Sequence, residues 1–157
     1  MGTSMNDTSS AGAHSHVGAA VPVTAAPGVD GRGAVMLLRI VAALACLETL
    51  VQGLLAGLLL NGDVDSIDAH GFNAYVFEIL VFLQVVAAVL LWRRNRWLRW
   101  PLMAAVGILV AAFVQTFLGL ESSLAAHAAL GVALCGMQTA LVLRAFLLRA
   151  EKSVTAA

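Results

Sequence analysis

Between residues 34 and 150 apolar positions dominate the chain in four long runs, at about 35–60, 70–92, 101–120 and 124–147, separated by short polar stretches. Each run reaches the roughly 20 residues that an α-helix needs to cross a hydrocarbon core. A membrane barrel would instead need alternating segments of about ten residues. Backbone N–H and C=O groups in lipid must pair within their own segment, so the runs predict helices. Pro101 opens the third run, where a first helical turn has no use for its missing N–H. Short connections make consecutive helices antiparallel neighbours. The predicted fold class is all-α, a transmembrane up-down four-helix bundle over 34–150. Residues 1–33, rich in Gly, Ala, Ser, Thr and Pro and without periodicity, read as a disordered cytoplasmic tail. Residues 151–157 read as a second cytoplasmic tail. No basic cluster precedes an apolar core in the first stretch, so it does not read as a secretory signal.

Composition strengthens this picture. Of 157 residues, 61% are hydrophobic and 11% charged, against about a quarter charged in soluble domains. A surface so poor in charge implies a lipid bilayer as partner. The formal net charge of zero removes bulk attraction to nucleic acid. That average conceals a segregation. The nine Lys and Arg residues are Arg32, Arg39, Arg93, Arg94, Arg96, Arg99, Arg144, Arg149 and Lys152. The bundle topology puts them all on one side. The connections at 61–69 and 121–123 carry Asp63, Asp65, Asp68 and Glu121 and no basic residue. The positive-inside rule then predicts a multi-pass inner-membrane protein with both termini cytoplasmic. Trp92, Trp97 and Trp100 flank the basic connection, as indoles at a headgroup layer do.

Polar residues inside such runs are costly and face the bundle interior. His70 and His127 each open a helix entering from the acidic side, on the second and fourth helices. Those helices are diagonally opposed in an up-down bundle, so the two imidazoles are expected to face each other across its axis. At 100° per residue His70 shares a face with Ala74, Glu78 and Gln84, and His127 with Gly131, Cys135 and Gln138. Glu48 and Gln52 lie one turn apart on the first helix, and Gln115 and Gly119 on the third. Glu48, Gln52, Glu78, Gln115 and Gln138 are thus candidates for proton handling or helix association. Cys46 and Cys135 sit in apolar runs and read as small hydrophobes. His14 and His16 form a His-x-His pair in the tail without carboxylate or thiol company, a weak metal signal. Ser122 and Ser123 precede His127 without a glycine elbow or an orienting acid, and no phosphate loop is present, so no catalytic residue is assigned and enzymatic activity stays open.

Two neutral imidazoles amid Ala and Gly suit haem, which takes two axial ligands and a broad apolar slot. Zinc would want further ligands. Each hairpin also carries a glutamine-led turn of helix, Gln52-Gly-Leu-Leu-Ala-Gly57 and Gln115-Thr-Phe-Leu-Gly119, with a histidine beginning the next helix. Over roughly residues 48–149 this resembles one four-helix half of the haem A synthase family. The resemblance implies haem ligands at His70 and His127. The chain departs from that family in having one such half, in carrying Ile67 three residues before His70 where the catalytic half has a glutamate, and in lacking the outer-loop cysteine pair. It also resembles the small four-helix integral membrane proteins of actinobacteria, whose Ala- and Arg-rich composition it shares. The leading expectation is one b-type haem held by His70 and His127 near the outer face, for electron transfer or haem handling. The alternative is a non-catalytic membrane subunit or assembly factor without cofactor, in a homo-oligomer or larger membrane complex. A third reading is a proton-coupled transporter using Glu48 and Glu78.

Overall fold

The computed structural model describes residues 31–148. The chain forms four helices: α1 (Arg32–Leu60), α2 (Ser66–Arg94), α3 (Trp100–Leu120) and α4 (Leu124–Leu147). All four are long and apolar enough to cross a membrane. Each helix packs on its two neighbours in chain order, α1 closing the ring against α4, and the diagonal pairs do not touch through their backbones. The protein is therefore an integral membrane four-helix bundle with up-down topology. One end carries Arg93, Arg94, Arg96, Arg99 and Arg144 and is the basic end; the other carries Asp63, Asp65, Asp68 and Glu121 and is the acidic end.

Two helix starts differ from the expected boundaries. The first helix begins at Arg32, so residues 32 and 33 belong to α1 and not to the tail. The second begins at Ser66, which places His70 a full turn inside α2. Hydropathy marks where a helix enters hydrocarbon, whereas the helix itself continues through polar residues. At α2 the Ser66 hydroxyl donates to Asp63 Oδ2 (2.8 Å), and Asp68 lies in the first turn, where a carboxylate complements the helix dipole. The remainder of the N-terminal stretch, with His14 and His16, and residues 149–157 lie outside the described residues.

The α1–α2 connection turns on Gly62 (φ 93°), and the tighter α3–α4 turn on Ser122 (φ 57°). These are left-handed conformations, which glycine adopts freely and serine only at some cost.

Packing is strongly asymmetric along the bundle. Buried side chains of α1 run only from Val35 to Ala45, those of α3 from Pro101 to Ala112, and those of α4 from Leu134 to Ala145. All lie in the basic half. There Leu38, Ala42, Val81, Ala88, Leu91, Ile108 and Leu141 interlock in a core rich in alanine, which lets helices approach closely. A reciprocal amide pair spans the α2–α4 diagonal within it: Gln138 Nε2 donates to Gln84 Oε1 (2.6 Å) and to the Ala42 carbonyl (3.0 Å). Both glutamines are fully buried. In the acidic half α1 has no buried residue from Cys46 onward, α3 none after Ala112 and α4 none before Leu134.

Candidate functional site

The thinly packed acidic half is where the polar side chains meet. The His70 and His127 rings lie with centroids 6.0 Å apart at 57°, facing each other across the α2–α4 diagonal. Each ring is held by the neighbouring helix of its own hairpin.

On the α3–α4 side, His127 Nδ1 lies 2.9 Å from the Gln115 carbonyl. A carbonyl can only accept, so Nδ1 carries a proton. Gly119 makes this contact possible: a Cβ there would stand 3.1 Å from His127 Cε1. The hairpin repeats the arrangement in reverse, since a Cβ on Gly131 would stand 3.1 Å from Gln115 Nε2. Large groups of each helix thus rest on glycines of the other.

On the α1–α2 side, Gln52 grips His70 twice. Its Nε2 donates to the His70 carbonyl (3.1 Å) and lies 3.2 Å from His70 Nε2. Asn73 Nδ2 donates to Gln52 Oε1 (2.8 Å) and approaches the Glu48 carbonyl (3.4 Å). These partners fix the orientation of the Gln52 amide. His70 Nε2 therefore faces an N–H and accepts, leaving the proton on Nδ1. In the neutral form of each ring the lone pair is then on Nε2, that of His70 capped by Gln52.

Three buried side-chain atoms lack a partner among the described residues: Glu48 Oε2, His70 Nδ1 and Gln115 Oε1. All belong to the acidic half, on α1, α2 and α3. Glu78 accepts from the Thr116 hydroxyl at 2.7 Å, tying α2 to α3. Gln138, by contrast, is remote from the histidines and belongs to the amide pair in the basic half. The structure thus brings together His70, His127, Gln52 and Gln115, pairs Glu78 with a hydroxyl, and buries a carboxyl oxygen of Glu48. Asn73 and Thr116 were not singled out by sequence. Asn73 could have been found as the polar residue one turn after His70; Thr116 follows Gln115 in an apolar run and gives no such signal.

Among the described residues no three His, Cys, Asp or Glu side chains are grouped to hold a metal ion. Comparison with protein-family models, with curated proteins and with solved structures finds no match.

Proposed function

We propose that this integral membrane protein binds one b-type haem in the acidic half of its bundle, with His70 and His127 as axial ligands, and serves electron transfer or haem handling. The facing imidazole pair carries the reading. With metal–imidazole bonds of about 2.0–2.1 Å, two rings on opposite sides of one ion have centres about 6 Å apart, and the observed separation is 6.0 Å. Metal-bound histidines commonly donate their second N–H to a carbonyl, as His127 does to Gln115. The half-bundle without buried side chains on α1, α3 and α4 suits a flat apolar group that completes its packing. Haem would supply a one-electron couple between these helices. Gln115 orients His127, Gly119 gives its ring room, and Gln52 orients His70. To hold the iron through Nε2, His70 would have to give up its hydrogen bond with Gln52. We place the acidic end outside and both termini in the cytoplasm, on the segregation of the basic residues.

The test is an absorption spectrum of protein purified after expression with ample haem. An intense Soret band is expected, with sharpened bands at longer wavelength on reduction, both lost in His127→Ala. A spectrum without a Soret band, or one indifferent to His127→Ala, would overturn the proposal.

One observation favours the second reading, a non-catalytic membrane subunit or assembly factor. Gly53 and Gly57 on the acidic half of α1 meet nothing of their own bundle, and a Cβ at either would stand in open space. Their four-residue spacing suits close approach by a further helix, from another copy or a larger complex. On that reading Gly53→Leu and Gly57→Leu break association while both histidines are dispensable. Gly131 is not equivalent, because Gln115 already covers it.

A further inference from the structure

At the other end of the molecule a feature remains that the histidine site does not use. Arg39 stands on α1 at the level where α4 ends. Its Nε donates to the Ala145 carbonyl (3.1 Å), and its Nη2 to the carbonyls of Phe146 (3.2 Å) and Leu148. The guanidinium also lies 5.5 Å from the centre of the Phe146 ring. A guanidinium has five N–H donors, and these contacts leave Nη1 without an acceptor among the described residues. Arg39 also lines a groove of about 550 Å³, together with Met36, Ile40, Ala43, Leu44, Leu47 and Phe146. Apart from Arg39 that lining is apolar, and it lies on the outer surface of the bundle, facing lipid.

The dimensions point to one occupant. From Met36 to Leu47 the helix rises about 17 Å, close to one leaflet of a hydrocarbon core about 30 Å thick. The cation stands within a turn of the groove's basic end, beside the last carbonyls of α4, where the bundle meets the headgroup layer. Phosphate is the partner that a guanidinium edge matches in shape and charge, and the other arginines of the basic end raise the local positive potential. We infer that the α1–α4 groove is a seat for one anionic phospholipid, its phosphate on Arg39 and one acyl chain along Ile40, Leu44 and Leu47.

The experiment is native mass spectrometry of the full chain released from micelles doped with equal phosphatidylglycerol and phosphatidylcholine. Wild type is expected to retain one phosphatidylglycerol with a preference of about fivefold, what one arginine confers near an anionic surface. Ala43→Trp, which fills the groove from an exposed position, is expected to lose the retained lipid with helicity unchanged. Arg39→Gln is expected to abolish the preference. Because Arg39 also holds the end of α4, Ala43→Trp decides if Arg39→Gln misfolds. Equal retention of the two lipids by wild type, or retention by Ala43→Trp as strong as by wild type, overturns the inference.

Discussion

At the residue scale two glycines that look alike in the sequence have opposite tolerances. Gly119 lies under the His127 ring, so a methyl group there must displace the imidazole or the α3 backbone. Gly119→Ala is expected to cost about 1–3 kcal/mol, the usual range for overpacking. Gly107, in the middle of the same helix, meets nothing. Gly107→Ala is expected to be neutral or to stabilise by up to about 1 kcal/mol through helix propensity. Equilibrium unfolding in detergent compares the two. The buried amides allow a second test. Gln138→Leu strands Gln84 in an apolar core and should cost about 1–3 kcal/mol, whereas removing both partners with Gln84→Leu added should recover much of that loss. The polar residues themselves were legible, because any histidine or glutamine within an apolar run stands out. Their partners were not. Nothing in the order of residues says that Gln52 meets the His70 ring with its side chain while Gln115 meets His127 with its carbonyl.

At the scale of elements the four helices and their order follow from hydropathy alone, since lipid leaves the backbone no other way to pair. The helix ends were less legible, because Ser66 and Asp68 break the apolar run in a turn that nonetheless begins α2. The end of α4 was hidden in another way. Its last carbonyls are satisfied by Arg39, a residue more than a hundred positions earlier. A cation at a helix C-terminus is worth up to about 1 kcal/mol, so Arg39→Leu should speed amide exchange in the last turn of α4 by about fivefold. Exchange in α3, which Arg39 does not touch, should be unchanged.

At the scale of the whole molecule, the separation of charge along the axis was plain in the sequence, while the uneven packing was not. Counting apolar residues cannot reveal it, because lipid-facing and core-facing positions are equally hydrophobic in a membrane bundle. Two measurements follow. With single cysteines introduced at Asp63, Ser122 and Arg94 in a variant lacking Cys46 and Cys135, an impermeant maleimide applied to intact cells should label the first two and spare the third. Amide exchange should run faster from Gln52 to Leu60 than from Val41 to Ala45 on the same helix, because only the latter stretch is locked by buried neighbours.

The buried amide pair has a mechanical consequence. Gln84 and Gln138 pin the α2–α4 diagonal low in the bundle, and above that point only Leu134 is buried on α4. The upper part of α4 is then a lever with its fulcrum near Gln138. The arm from Gln138 to His127 is about 17 Å along α4, so tilting α4 by about 3° carries the imidazole roughly 1 Å. A shift at the fulcrum too small to disturb the core is thus magnified into a change of ring spacing at the far end.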